Sequence, residues 1–201
     1  IMFYMTPVWT TIFEIIFLKK KHGWQRIVSL GLALGGLWVV FGQGGNIPLP
    51  ENAGDWLALL GGIMFAGGMI RLEVIKTDGV FPIIFGFFFY GTLFNICAGF
   101  LLVDYLGPMP SNEAFISMTT FLVLISVFYF IPTGIVILWA PTQIGAGICS
   151  ILFLSEIIVG AISSSILTDE PFGWRQIVGC SLIVIGGIIP VVLSPKEDVS
   201  K

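Results

Sequence analysis

A helical unit occurs twice in this chain, 150 residues apart, with loops of opposite charge in front of the two copies. The first copy reads Gly23-Trp24-Gln25-Arg26-Ile27-Val28, continues to Leu32 and ends in Gly35-Gly36. The second reads Gly173-Trp174-Arg175-Gln176-Ile177-Val178, continues to Leu182 and ends in Gly186-Gly187. Lys19-Lys20-Lys21-His22 precedes the first copy, and Thr168-Asp169-Glu170-Pro171 precedes the second. Cationic loops favour the cytoplasmic side of a membrane. The two copies are therefore expected to enter the bilayer from opposite sides, an arrangement that many secondary transporters build from inverted repeats.

The composition demands a membrane. Hydrophobic residues make up 56% of the chain, charged residues only 10%, and the mean hydropathy is +1.00. A soluble domain carries about 25% charged residues. Here the charges fall between apolar stretches of about 20 residues, the length that crosses a hydrocarbon core. Seven spans are read: residues 1–18, 24–41, 56–72, 80–103, 114–138, 143–167 and 174–193. The first apolar run has no basic flank before it, so it reads as a membrane helix already under way rather than as a signal peptide. Trp139-Ala140-Pro141 reads as a tight break between the fifth and sixth spans.

Lys and Arg orient the spans. With Lys19, Lys20, Lys21 and Arg26 inside, alternate crossing also places Arg71, Lys76, Lys196 and Lys201 inside. Only Arg175 is left outside. The outer loops collect Glu51, Asp55, Asp104, Glu113, Asp169 and Glu170. Five crossings separate the two repeated units, and an odd number inverts the second relative to the first. The natural unit is thus five helices. Residues 55–194 hold a complete one, and residues 1–43 hold the last two helices of another. The expected fold is an all-α polytopic membrane protein with seven visible transmembrane helices, part of a ten-helix, five-plus-five inverted repeat.

On these residues the chain resembles the EamA-like transporters of the drug/metabolite transporter superfamily. The matching stretch runs from Ser155 through Ile166, Asp169-Glu170, Trp174 and Gly179 to Gly186-Gly187. Thr6-Pro7-Val8 and the Gly31–Gly36 stretch match the same region of the first repeat. The first-repeat turn departs from the family, with Lys19-Lys20-Lys21 where a Gly-Glu-like pair is usual. The resemblance implies ten helices and movement of small metabolites, such as amino acids or drugs, through a central cavity by alternating access, ion-coupled or by exchange. It implies a multi-pass protein of a bacterial inner (plasma) membrane, with its C-terminus cytoplasmic, whose partners are a small-molecule substrate and the lipid bilayer. Two other readings stay open: a non-transporting membrane subunit and a seven-helix receptor. The seventh span has no Lys to carry retinal.

Glu156 is the leading binding candidate for substrate or proton. It falls about a dozen residues into the sixth span, near the midplane at roughly 1.5 Å per residue. An ionisable group there costs roughly 3 kcal/mol and is expected to face a protein interior or a cavity. Glu14 is a second acid, close enough to the lysine loop to pair with it. Asn95 shares a face with Gly91 and Gly99, as a packing seam or as a cavity amide. Tyr90, Tyr129 and Trp139 offer aromatic walls. Arg71, beside Glu73, reads as a positive-inside anchor or a gate. Pro132 and Pro141 read as hinges, because an interior proline frees a backbone carbonyl. Gly31 and Gly35 form a GxxxG expected to pack closely against another helix. Trp24, Trp56 and Trp174 read as interface anchors.

Catalytic chemistry is not expected. The only histidine, His22, lies in the basic loop, and no phosphate-binding glycine loop is present. Cys97, Cys149 and Cys180 lack metal-ligand spacing and read as buried small hydrophobes. No metal or cofactor is expected, and the absence of a basic, aromatic-rich tract argues against nucleic acid as a partner.

Overall fold

The structure is a computed structural model, and it describes residues 2–42, 50–75, 79, 81–101, 111–167 and 172–193. The described residues are almost all helical, with no strand among them. A short 3₁₀ turn, Met2–Met5, leads into α1 (Thr6–Phe17); α2 (Trp24–Phe41), α3 (Ala53–Val74) and α4 (Phe81–Leu101) follow. Next come α5 (Asn112–Ile125), a π-helical turn (Ser126–Phe130) and α6 (Ile131–Ile144). The chain ends with α7 (Ala146–Leu152), α8 (Ser155–Leu167) and α9 (Trp174–Leu193). Six continuous or near-continuous helical runs are long and apolar enough to cross a membrane, and Met2–Phe17 is a shorter apolar helix. This is an all-α architecture suited to a bilayer, where every backbone group must be satisfied within its own segment.

Two of the expected span ends move. The fifth span does not stop at Trp139-Ala140-Pro141: α6 runs through a buried Pro141 to Ile144. Pro141 lies in the last turn, so the bond that its missing N–H costs the helix falls near the helix end. The break falls at Gly145, whose φ of 83° is open to glycine and strained for other residues. Pro132 meets a different solution. The helix widens just before it, with the Ile131 N–H reaching back to Ser126 O, so the turn makes room for the proline ring. The sixth span, expected as one helix, is interrupted at Phe153–Leu154 and resumes at Ser155.

The chain divides into two compact units, residues 1–74 with 141–201, and residues 75–140. In the second unit α4 and α5 have no buried residue, and their surfaces are aromatic and aliphatic. Phe81, Phe85 and Phe89 stack along α4 at centroid distances of 6.3 and 5.6 Å. A shallow apolar groove runs beside them, lined by Phe85, Phe88, Phe89, Thr92, Leu93 and Ile96. Gly134 leaves room for the Phe88 ring, which would collide with any Cβ there.

The first unit is built on the α2–α9 pair. Ala33, Leu37, Ile151, Leu154, Ile157 and Ile183 form its core. The two helices touch backbone to backbone: a Cβ at Gly36 would stand 2.5 Å from Gly179 O and 3.0 Å from Ile183 N, and a Cβ at Gly186 would stand 2.9 Å from Ser29 O and 3.0 Å from Ala33 N. Ser29 Oγ also donates to Gly186 O. Low-numbered residues of α2 thus meet high-numbered residues of α9, so the helices are antiparallel and their N-termini lie at opposite ends of the pair. The contacts also map onto themselves under the 150-residue shift: Gly36 meets 179 and 183, and Gly186 meets 29 and 33.

The Gly31/Gly35 reading needs correction. A Cβ at either position meets open space, and the close approach on α2 is made by Gly36 instead. Gly31 and Gly35 lie four apart on a face turned away from α9, whereas Gly36 is on the buried stripe with Ser29, Ala33 and Leu37. Cys149 and Cys180 are buried as expected of small hydrophobes, but Cys97 is exposed on α4. Trp24, Trp56 and Trp174 are exposed within the first turn or so of their helices. The loop Thr168–Pro171 lies outside the described residues.

Candidate functional site

The polar centre of the first unit is an ionic cluster around Glu14. Its side chain is 4% exposed, one turn from the end of α1. Arg26, in the first turn of α2, reaches Glu14 Oε2 with Nη2 at 3.3 Å, and His22 Nε2 lies 3.4 Å from the same oxygen. Lys20 Nζ lies 3.4 Å from Glu14 Oε1 and also donates to Glu73 Oε1 in the last turn of α3. Lys20 therefore bridges two carboxylates. The start of α7 completes the shell: the Gly147 N–H donates to Glu14 Oε1 at 3.2 Å, and the Ala146 N–H donates to Glu73 Oε2 at 2.9 Å.

Local structure places each group. Lys19 takes a left-handed conformation, φ 53°, which costs a non-glycine residue roughly 1–2 kcal/mol. That turn brings the Lys20 N–H back to Glu14 O at 3.2 Å and carries the Lys20 side chain over the carboxylate. Gly145 frees the chain to start α7 with its N–H groups facing the two acids. Gly147 has no side chain because a Cβ there would run into the Arg26 guanidinium and the Glu14 carboxylate. The ends of α1 and α3 and the starts of α2 and α7 thus meet at one place, and these are the ends that cation counting assigns to one side of the membrane.

Two carboxylates face Lys20 and Arg26, so these four charges cancel, and His22 adds charge only when protonated. Such neutrality is needed, since an isolated buried charge costs several kcal/mol. The contacts to Glu14, at 3.2–3.4 Å, are longer than the 2.7–2.9 Å usual for charge-assisted bonds. Arg26 Nε is buried with no hydrogen-bond partner among the described residues. Glu14 is held by many contacts, each of them long.

Burial opposes the charge on Lys20, but the Glu73 hydrogen bond and the fields of Glu14 and Glu73 outweigh it and raise its pKa above the ordinary lysine value. A raised folded pKa stabilises the protein below the unfolded lysine value, about 10.4, and the gain is lost as pH rises through the folded value. Wild-type protein is therefore expected to lose stability on the alkaline side of pH 10 faster than Lys20→Met. Thermal unfolding in detergent across the alkaline range checks this; parallel curves for the two proteins would remove Lys20 from the cluster's energetics.

The cluster contains Glu14 but not the other candidate acid. Glu156 was expected to point inward near the midplane; it is exposed, in the first turn of α8. The break at Phe153–Leu154 resets the helical register, so counting residues from the span end does not predict its direction. Arg71 is exposed and outside the cluster, where Lys20 and Arg26 are the cations facing Glu14. Asn95, Tyr90, Tyr129 and Trp139 belong to the second unit, and each is exposed. The Asn95 amide donates to Gly91 O of its own helix at 2.8 Å. Pro132 is exposed beside the π turn, and Pro141 is buried one turn before Gly145. Sequence reasoning missed the joint role of Lys20, His22, Arg26 and Glu73. The one available signal was an acid at position 14 flanked by apolar residues and followed by cations at 20 and 26. Among the described residues no set of three or more His, Cys, Asp or Glu is placed to hold a metal ion.

No protein-family model matches this chain, and neither a curated protein nor a solved structure shows significant similarity to it.

Proposed function

We propose that this chain belongs to a secondary transporter of small metabolites, an EamA-like protein of two inverted five-helix repeats working by alternating access. Residues 1–43 carry the last two helices of the first repeat and residues 55–194 the second. The protein is not an enzyme; it moves an unmodified solute, driven by an ion gradient or by exchange. It lies in the plasma membrane of a bacterial-type cell, with the lysine loop and the C-terminus on the cytoplasmic side.

The observation that supports this reading is the α2–α9 crossing. The repeated segments pack antiparallel, and their contacts exchange under the same 150-residue shift that relates their sequences. Two-fold relations of this kind let one scaffold adopt two states related by that same axis, open to either side. A membrane subunit held only for assembly has no such need.

Solute flux tests the proposal. A panel of amino acids, other metabolites and drug-like amines is first screened for thermal stabilisation of the purified protein in detergent. Solutes that stabilise are then assayed by counterflow in proteoliposomes. At least one solute class is expected to exchange well above protein-free vesicles. Binding without counterflow for every stabilising solute would overturn the transporter reading in favour of a non-transporting subunit.

A further inference from the structure

We infer that α7 is a movable half-helix, latched shut by the Glu14–Lys20–Arg26–Glu73 cluster, and that its release opens the lysine-loop end of the first unit. This inference rests on the transporter reading and adds the device that closes one end of its path.

Three observations carry it. The first is that α7 is bounded by two interruptions. Gly145 stands before it with a positive φ, and the Phe153–Leu154 turn stands after it. A seven-residue helix between two breaks has a hinge at each end, and its shift takes backbone changes there together with a sliding of its buried Ile151 within the core. The second is the way α7 is held. Its polar attachments to α1 and α3 are the Gly147 and Ala146 N–H groups on Glu14 and Glu73. These bonds lie at one end of α7, so they can part together. The third is the quality of the latch. Glu14 has four partners at 3.2–3.4 Å, and Arg26 Nε has none among the described residues. An under-satisfied buried network gains little from staying closed, because each long or missing bond leaves part of the desolvation cost uncompensated.

The charges also suit a latch. Lys20 contacts acids on two helices, so when the Gly147 and Ala146 N–H groups leave, neither carboxylate loses its cation. No charge is stranded on opening: Glu14 keeps Arg26 and His22, and Glu73 keeps Lys20. The groups facing Glu14 from all sides are Lys20, His22 and Arg26, with Glu73 across Lys20.

Cys149 supplies a reporter, since it lies on α7 and is 1% exposed in the latched state. The test uses the purified protein in proteoliposomes with Cys97 and Cys180 replaced by alanine. Labelling of Cys149 by a membrane-impermeant maleimide is followed in otherwise wild-type protein, in Glu73→Gln and in Lys20→Gln. Each variant weakens two charge-assisted bonds of the cluster, and the labelling rate is expected to rise at least about tenfold in both. A parallel series keeps Cys180 as the only thiol, and its rate is expected not to change. Unchanged Cys149 labelling in both variants would overturn the latch. So would a matching rise at Cys180, which would show that the cluster holds the fold rather than α7. The readout needs no substrate: faster labelling in a protein that carries no solute would support the latch while defeating the transporter reading.

Discussion

Glu14→Leu is expected to cost about 3–5 kcal/mol of stability, the loss seen when one partner of a buried ion pair is removed. The reason is what it leaves behind rather than what it takes away. Arg26 stays buried with no carboxylate, and the Gly147 N–H stays buried with no acceptor. Lys20 keeps Glu73 and suffers less. The same logic predicts a recovery. In Glu14→Leu with Arg26→Met both charges leave together, and apolar replacement of a whole buried pair is close to neutral. The double variant is expected to regain more than half of the loss. Unfolding in mixed detergent micelles measures both, and the full cycle isolates the coupling. A single Glu14→Leu cost below about 1 kcal/mol would mean that the cluster is hydrated and the pairing argument is misplaced.

The second large effect is expected at the helix crossing. Gly36→Leu and Gly186→Leu each drive a side chain into a facing backbone, at Gly179 O and Ser29 O respectively. Neither obstacle is a flexible side-chain end, so the helices must separate, at a cost of about 3 kcal/mol at the upper end of overpacking penalties. Because the contacts of Gly36 and Gly186 are equivalent, the two costs are expected to agree within about 0.5 kcal/mol. Gly31→Leu, facing open space, is expected to change stability by no more than about 0.5 kcal/mol. Equal losses at Gly31 and Gly36 would place the tight seam of α2 on the wrong face.

The two regions also differ in what they ask of the protein. The α2–α9 crossing is lined by small residues, and close packing with the Ser29–Gly186 hydrogen bond holds it. The cluster is charged, and its bonds to Glu14 are long. One is suited to hold a shape and the other to change it. Gly147 belongs to both worlds: it is a glycine selected by close approach, but what approaches is a pair of charged side chains rather than a backbone.

Hydropathy and loop charge, read along the chain, determined that this is an all-α membrane protein and where nearly every span lies. These are local properties: a run of apolar residues seeks hydrocarbon whatever its neighbours, and small residues recur where helices touch. The 150-residue shift matches Gly36 with Gly186, but the shift alone did not say that these two glycines meet the facing helix. Sequence did not show which glycines of α2 face α9, since Gly31, Gly35 and Gly36 differ only in azimuth. It also misjudged breaks, placing one at Pro141 when backbone angles at Gly145 and Phe153–Leu154 decide it. That second break turned Glu156 to the surface, so depth along a span was no guide to burial. The ionic cluster was decided by tertiary structure alone. Glu14 and Gly147 are 133 positions apart, and Lys20 and Glu73 are 53 apart. No spacing rule links them, because what joins them is the meeting of four helix ends and the need of each buried charge for a partner.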